Sequence, residues 1–276
     1  MDTLETIKGS VIQHGTHNDR IYLMRFNTDD TQGLVTILDD MALAKGYGKI
    51  FAKIPALAWN AFKSAGYVKE VVVPGLFAGK VDGFFIAKYF SNRRQETQNV
   101  QNLLRIISPD RQAPTKNIHP MNKAAPEVVP CELSDATEMS LIYQQVFKSY
   151  PFPIQKPTYL QHMMKKGVLY FCIRIKGRIA AIAAAEIDLV NKNVEMTDFA
   201  TLPQWRCMGF AGLLLNHMGK HTRKLGIKTA YTIARAESTG MNSVFKNSGY
   251  KYSGLLKNNS QICGKIQSMA VWYKHL

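Results

Sequence analysis

The sequence has no run of about 18 apolar residues, the minimum for a membrane-spanning helix, and no basic N-terminal segment leading into an apolar stretch. The first absence argues against a membrane protein and the second against a secretory signal. We therefore expect a cytoplasmic protein that does not bind a membrane. With 276 residues, 46% of them hydrophobic, the chain can form one large domain or two small ones.

Cysteine is scarce, and the chain has no Cys-x-x-Cys pair of the kind that binds zinc or cycles between redox states. His217 and His221 have the i, i+4 spacing of a zinc-binding helix. However, Met218 stands where the metalloprotease glutamate would be, and no third ligand follows. We predict no metal site. The cysteines are predicted to be reduced packing residues: Cys131, Cys172, Cys207 and Cys263.

Acidic residues are few, and 20 Asp and Glu against 35 Lys and Arg give a formal net charge of +15. Such a charge attracts polyanions at long range. The basic residues are dispersed rather than grouped in blocks, so nucleic acid is not the expected partner. A phosphorylated cofactor such as coenzyme A would benefit from the same field. A solvated basic surface without any partner explains the composition equally well.

Proline is concentrated at one place, since five of the eleven prolines lie between residues 108 and 130. Alternating strand and helix patterns occupy both sides of this segment, which is typical of a mixed α/β (α+β) architecture. We predict an N-terminal α/β domain at 1–107, a linker at 108–124 and a second domain at 125–276.

The C-terminal domain has the predicted element order βααβββαβαββ. Asp135 and Glu138 have the spacing of a capping box at the start of its first helix, and Pro157 is placed to open the second. A three-stranded meander then covers 168–175, 178–188 and 194–200. The Ala-rich run at 180–185 favours a helix by propensity, although its context predicts a strand.

Residues 201–212 connect the last meander strand to an apolar helix and predict an anion-binding loop. The first amides of a helix have no internal partner, and the helix dipole is positive there, so a pyrophosphate can accept several backbone hydrogen bonds. Gly209, Ala211 and Gly212 would allow close approach, and Arg206 would add positive charge. An ordinary helix start is the alternative interpretation of the loop alone.

The spacing Arg206-x-x-Gly209-x-Ala211 resembles the (Gln/Arg)-x-x-Gly-x-(Gly/Ala) signature of the GNAT acetyltransferases. Residues 245–250 resemble a second motif of that family, a helix ending in Gly and an aromatic residue. The resemblance covers about 125–276 and implies a GNAT fold that binds acetyl-CoA. It implies cofactor contacts from one set of residues: Phe199, Ala200, Thr201, Arg206, Cys207, Met208, Gly209, Phe210, Ala211, Gly212, Ser238, Asn242 and Phe245.

The whole chain resembles a narrower family, the β-lysine N-acetyltransferases, which make the compatible solute Nε-acetyl-β-lysine. The similar segments are 9–15, 18–24, 49–55 and 197–203. This resemblance implies a small diamino acid as acceptor and a role in osmolyte synthesis under salt stress. A homodimer is compatible with the sequence, which leaves the oligomeric state open.

The N-terminal half contains a faint repeat of the C-terminal half. Residues 62–67, Phe-Lys-Ser-Ala-Gly-Tyr, match 245–250, Phe-Lys-Asn-Ser-Gly-Tyr, at an offset of 183 positions. Coincidence between two short helix ends is the alternative to a degenerate GNAT-like copy. Gly33 precedes the corresponding helix without the Arg-x-x-Gly-x-Ala spacing, so we expect no cofactor in residues 1–107.

Acetyl transfer to a lysine-like amine requires removal of a proton, because such an amine has a pKa near ~10.4. Glu195 is the first candidate base, since alternation along its strand places it on one face with Thr197 and Phe199. Asp198 is predicted on the other face but closer to the loop, where it would bind the substrate cation or replace Glu195. Glu186 on the neighbouring strand is the third candidate.

The acid that protonates the departing thiolate is harder to assign. The resemblance implies a tyrosine in the second-motif helix, but Phe245 occupies that position, and Ser238 holds the spacing of the usual motif asparagine with Asn242 nearby. Tyr250 is a substitute candidate, although a core role is common for such a residue. Residues 150–153 are expected to border the acceptor site.

The sequence leaves two other functions open. One is acetylation of a polyamine or a protein lysine, for which a basic surface is unfavourable because like charges repel. The other is a non-catalytic module that binds coenzyme A, which the missing tyrosine would suit.

Overall fold

A computed structural model describes residues 2–97, 100–107 and 126–276. Within these ranges the chain forms thirteen strands and eight helices, which confirms the predicted mixed α/β class. The linker predicted at 108–124 lies outside the described residues. Among the helices described, none has both the length and the apolar character to cross a membrane.

The N-terminal half begins with a three-stranded meander and continues through two α/β connections. Its first long helix starts at Asp30, whose carboxylate accepts a hydrogen bond from the Gly33 amide, and ends at Gly46 in the left-handed conformation. The elements are β1 (Thr3–Ile7), β2 (Ser10–Gly15), β3 (Arg20–Arg25), α1 (Thr31–Lys45), β4 (Lys49–Pro55), α2 (Trp59–Ser64), β5 (Val68–Phe77), β6 (Val81–Tyr89), α3 (Asn92–Gln95) and α4 (Val100–Ile107).

The C-terminal half has the predicted element order. Its elements are β7 (Val128–Pro130), α5 (Ala136–Val146), α6 (Pro157–Lys165), β8 (Leu169–Ile175), β9 (Arg178–Asp188), β10 (Asn193–Thr201), α7 (Phe210–Lys224), β11 (Thr229–Arg235), α8 (Thr239–Asn247), β12 (Lys251–Ile262) and β13 (Lys265–His275). Pro157 opens α6 as expected, because its missing amide is not needed at a helix start.

The predicted capping box of Asp135 with Glu138 is wrong. A short 3-10 turn precedes α5, and its capping box pairs Glu132 with Asp135 instead. The Glu138 carboxylate turns to the start of β9, where it accepts from Arg178 Nε at 2.7 Å and from the Ile179 amide at 3.1 Å. A cationic donor forms a stronger hydrogen bond than a neutral backbone amide, which explains the exchange.

All thirteen strands join in one sheet of order β1-β2-β3-β4-β6-β5-β12-β13-β11-β10-β9-β8-β7. The halves meet in the middle, where β5 and β12 pair antiparallel at Val71 and Gly254. Only β3 with β4 and β10 with β11 run parallel among the pairs described. The remaining neighbours are antiparallel, so each half has one parallel step.

The two halves repeat the same path through the sheet. From the centre outward, β5, β6, β4, β3, β2 and β1 correspond to β12, β13, β11, β10, β9 and β8. The helices α1 and α7 each cross the parallel step, and α2 and α8 each precede the central strand. This repetition of the strand and helix order coincides with the sequence match at an offset of 183.

Three hydrophobic cores hold the sheet. The central core combines residues of both halves, including Phe51 and Phe85 with Met139 and Tyr143 of α5. An outer core under α7 and α8 is formed by the C-terminal half together with Leu103 and Ile107 of α4, and another under α1 and α2 belongs to the N-terminal half. The Ala-rich run forms a strand because β9 is covered on both faces, where small side chains fit.

Candidate active site

A cleft opens where β10 and β11 part. The two parallel strands pair only from Asn193–Glu195 with Thr229–Tyr231, although both continue beyond that point. The cleft has an empty volume of about 490 Å³. Among its lining residues are Tyr150, Thr197, Asp198, Phe199, Arg235 and Ser238.

A β-bulge in β10 shapes this cleft. Thr197 lies opposite Ala184 and Ala200 opposite Ile182, so Asp198 and Phe199 together face one residue of β9. Asp198 has a positive φ of 54°. The bulge shifts the alternation of the side chains beyond Thr197.

The predicted faces of β10 are therefore wrong at two positions. Phe199 packs on the α8 side, with its ring 5.6 Å from that of Phe245, rather than sharing a face with Glu195. Asp198 instead joins Glu195 on the side of the central core, where it meets Tyr150. Because two residues oppose one at a bulge, simple period-2 alternation cannot hold across it.

Three carboxylates gather beside the cleft. Glu186 and Glu195 are direct cross-strand partners on β9 and β10, and Asp198 lies three residues further along β10, in the bulge. Burial raises the pKa of Glu186 to about 8 and of Asp198 to about 6, and it raises that of Glu195 as well. The negative charges of the neighbouring carboxylates raise the pKa of Glu186 further. The cluster therefore favours a bound cation.

Asp198 is the member of this cluster that lines the cleft itself. Its Oδ1 accepts a hydrogen bond from the Tyr150 hydroxyl at 2.7 Å and one from the Thr197 hydroxyl at 3.3 Å. Both bonds lower the pKa of Asp198 and partly offset burial. Tyr150 belongs to the segment at 150–153 that was expected to border the acceptor site.

The loop before α7 has the geometry of an anion cradle. Gly209 adopts a φ of 77°, in the left-handed region that favours glycine, and caps the helix. The first closed helical bond runs from the Leu213 amide to the Gly209 carbonyl, which leaves the preceding amides without helical partners. A Cβ placed on Gly209 or Gly212 would meet no atom within 4 Å. Open space before unpaired amides fits the pyrophosphate of coenzyme A.

The other predicted loop residues surround this cradle. Arg206 donates from Nε to the Thr201 carbonyl at 3.3 Å, which holds its guanidinium at the end of β10. Phe210 is buried and stacks on Trp205, and Met208 packs against the outer core. Cys207 is exposed, Ala211 lies in the first turn of α7, and Ala200 faces the central core.

The residues of the second motif divide into two groups. Ser238, which caps α8, and Phe245 line the cleft. Asn242 is turned away from it, because its Nδ2 donates to the carbonyls of Arg235, Ala236 and Ser238 while its Oδ1 accepts from Trp272 Nε1 at 2.9 Å. The side chain therefore fixes the β11–α8 connection rather than facing a cofactor.

Tyr250 lies in the outer core instead of the cleft. The left-handed Gly249 ends α8 and directs the Tyr250 ring against Phe245, with ring centroids 5.4 Å apart. Burial raises the pKa of Tyr250. The structure does not bring its hydroxyl to the carboxylates. Within the cleft lining, Tyr150 is the tyrosine beside them.

Three further groups lie near the carboxylates, and none of them was predicted from the sequence. Lys53 and Tyr22 come from the N-terminal half, and Tyr231 comes from β11. The Lys53 ammonium donates to the Tyr231 hydroxyl at 2.8 Å, and Tyr231 in turn hydrogen-bonds Glu195. The pKa of Tyr22 is raised mainly by burial. The negative charges of Glu195 and Glu186, which lie nearby, raise it further. No local motif marks these residues, because only the sheet brings them together.

The comparisons with known proteins agree with this geometry. A model of the acetyltransferase (GNAT) family matches residues 137–250. The beta-lysine N(6)-acetyltransferase of Methanococcus maripaludis is 35% identical over 99% of this chain and 99% of its own. N-acetyltransferase YodP of Bacillus subtilis is 29% identical over 99% and 100%. The beta-lysine N(6)-acetyltransferase of Methanosarcina mazei is 28% identical over 87% and 95%.

Parted parallel strands, an anion cradle at one end and a carboxylate cluster at the other define an N-acetyltransferase that uses acetyl-CoA. The chain belongs to the acetyltransferase (GNAT) family.

Proposed function

We propose that this enzyme acetylates the side-chain amine of β-lysine. The observation that carries the proposal is the cluster of Glu186, Glu195 and Asp198 beside the cleft, which suits an acceptor with more than one amine. Two relatives that bear this activity in their names align with nearly the whole chain, including its N-terminal half. That extent supports a shared acceptor rather than a shared cofactor alone.

Acetyl-CoA supplies the activated acetyl thioester. We assign its pyrophosphate to the amides at the start of α7 and to Arg206, for which the open space at Gly209 provides room. The cleft between β10 and β11 would receive the arm that carries the acetyl group, with Phe199, Ser238 and Phe245 along its walls. This assignment leaves the carboxylate side of the cleft to the acceptor.

Asp198 is our assigned base, in place of Glu195, the first candidate from sequence. With a pKa of about 6, Asp198 is ionised at neutral pH and is a stronger base than an ordinary aspartate. Glu186, with a pKa of about 8, is largely protonated there and is therefore a poor acceptor. We assign Glu195 to binding the acceptor ammonium. We assign Tyr150, which lines the cleft, to protonating the departing thiolate, because its hydroxyl bonds Asp198 and can be reprotonated from it.

The product has a physical property that suits accumulation. β-Lysine carries two ammonium groups and one carboxylate, and acetylation of one amine leaves a zwitterion without net charge. We therefore propose a cytoplasmic role in osmolyte synthesis under salt stress. Deleting the gene should slow growth at high salt and abolish the acetylated solute in cell extracts; normal growth with the solute still present would oppose this role.

The substrate assignment is tested by acceptor profiling with thiol release. We expect β-lysine to exceed α-lysine, spermidine and a basic peptide by about tenfold or more in kcat/KM, the effect of one charge-assisted hydrogen bond. Mass spectrometry should place the acetyl group on the side-chain amine. A preference for spermidine or the peptide would reject β-lysine as the substrate.

The base assignment is tested with Asp198→Asn. We expect kcat to fall by about 10² or more, the usual contribution of a general base, while calorimetry shows unchanged coenzyme A binding. Asp40→Asn, at an exposed position on α1, is the matched control. Retention of kcat in Asp198→Asn would move the role to Glu195.

A further inference from the structure

The N-terminal half supplies one wall of the space in front of the carboxylates. Lys53 on β4 and Tyr22 on β3 extend from the inner face of the N-terminal sheet toward Glu195 and Glu186. Tyr22 and Phe51 are register partners, and Lys53 follows two residues later on the same face. Lys53 therefore contributes a positive charge to the N-terminal wall of this space, facing Glu195 and Glu186.

This space is recessed but reachable. Burial is the largest cause of the pKa shifts of Glu186, Glu195 and Lys53, yet all three side chains remain partly exposed. Groups that are surrounded by protein and still touch solvent line a concavity. The central core closes around it through Tyr143, Tyr170 and Tyr231.

Lys53 has hydrogen-bonding capacity to spare. Within the part of the chain that the structure describes, its ammonium donates one bond, to the Tyr231 hydroxyl at 2.8 Å. An ammonium has three donors. The Coulombic partners of Lys53 include Glu195, Asp188 and Glu186, but no ion pair joins it to any described residue. A half-buried cation with free donors suits an anion brought by the ligand.

We propose that Lys53 binds the carboxylate of the acceptor, so that the N-terminal half selects an amino acid over a plain amine. The inference rests on the proposed function. Glu195 would hold the ammonium that is not acetylated, with the neutral Glu186 carboxyl accepting a hydrogen bond beside it. Asp198 would face the reacting amine, and Lys53 would pair with the carboxylate. The repeated unit without a cofactor loop thereby has a role in acceptor binding.

Arg235 is the competing cation. It lines the cleft together with Asp198, and its Nη1 donates to the Cys263 sulfur at 3.6 Å. Arg235 is therefore the alternative partner for an acceptor carboxylate. The two cations lie in different halves, so substitutions separate them.

The test compares β-lysine with its carboxamide, which keeps both amines and loses only the negative charge. In the wild type we expect kcat/KM for β-lysine to exceed that for the amide by about tenfold or more, the effect of one charge-assisted hydrogen bond. Lys53→Met should reduce this ratio to about 1, mainly through KM for β-lysine, and Lys53→Arg should restore part of it. Lys63→Met, at an exposed position on α2, and Arg235→Met should keep the wild-type ratio.

Activity of Lys53→Met on the amide shows that the variant is folded. A ratio that survives in Lys53→Met, an equal loss with both acceptors, or a loss in Arg235→Met instead would overturn the proposal. If the wild type acetylates neither acceptor, the proposed function itself fails. If it acetylates both without preference, only the carboxylate site fails.

Discussion

Tyr150 and Asp198 share a hydrogen bond of 2.7 Å, and this bond controls when the proposed base is ionised. Burial raises the pKa of Asp198, and the Tyr150 hydroxyl lowers it by stabilising the charged form. The two effects leave the pKa at about 6. A base must be deprotonated to act, so activity should be lost as the pH falls through that value.

Tyr150→Phe should move this acidic limb to higher pH. Removing the hydroxyl removes a contribution that lowers the pKa of Asp198, so half-maximal kcat/KM shifts from about pH 6 upward. The maximum should also fall, because the proposed acid is lost. Profiles of kcat/KM from pH 5 to 9 measure both effects.

Tyr159→Phe is the control, because Tyr159 interacts electrostatically with Asp198 but forms no hydrogen bond with it. An unmoved limb in Tyr150→Phe would contradict the assignment of Asp198.

Glu186 destabilises the folded state at neutral pH, and replacing its carboxyl group should measurably raise the free energy of unfolding. Its pKa of about 8 in the folded protein exceeds the ordinary 4.5, so the folded state retains a proton that the unfolded state releases between those values. Stability therefore falls as pH rises through this window. Glu186→Gln should therefore be more stable than the wild type, by a margin that grows with pH over this window.

The test measures the free energy of urea unfolding of the wild type and of Glu186→Gln at pH 4.5, 6 and 8. We expect equal stability at the lowest pH and a gain for Glu186→Gln that grows toward pH 8. Glu127→Gln, at an exposed position before β7, should show no such trend. A gain that is independent of pH would indicate a packing effect instead of the release of a buried charge.

At the scale of elements, the start of α7 makes the clearest prediction. Gly209→Glu forces an L-residue into the left-handed region and places a negative charge at the helix N-terminus, where a pyrophosphate would bind. We expect the Kd for coenzyme A to rise by about 100-fold or more, as two lost charge-assisted bonds would cause. Gly219→Glu, later on the same helix, should bind normally. Calorimetry measures the Kd of each variant. Normal coenzyme A binding by Gly209→Glu would reject the start of α7 as the pyrophosphate site.

Helix ends that are marked by nearby residues were predictable from the sequence. The face of a strand on which a side chain lies was less predictable. Pro157 correctly marked the start of α6, because the backbone preference of proline acts within a few residues. The faces of Asp198 and Phe199 failed because a bulge depends on pairing with β9, which the strand's own sequence does not show. The capping box at Asp135 failed because Arg178, far along the chain, competes for Glu138.

For the whole molecule, the halves are predicted to unfold together. The central core draws on both, and buried polar bonds cross between them: Lys49 donates to the Lys257 carbonyl at 2.7 Å and Asn193 to the Leu76 carbonyl at 3.0 Å. Urea denaturation of the full chain should give one transition by circular dichroism and by hydrogen exchange in both halves. The proposed division at 108–124 would then mark a repeat boundary rather than independent domains.

A fragment of residues 126–276 provides the complementary measurement. Without Tyr22, Phe51 and Phe85 the fragment exposes one side of the central core, so we expect aggregation or binding of a hydrophobic dye. A soluble fragment with the melting temperature of the full chain would contradict this dependence. The same dependence explains why the acceptor site was only half predictable: Lys53 is 142 positions from Glu195 in sequence, and only the continuous sheet makes them neighbours.

The edge-to-edge pairing of β5 with β12 places two versions of one architecture in a single polypeptide. In an assembly of identical subunits, every substitution appears in both partners, so neither can specialise alone. Here a covalent connection removes that restriction. One copy can keep a glycine loop for a diphosphate while the other presents a lysine to the first copy's ligand, and the stoichiometry of the two is fixed at synthesis.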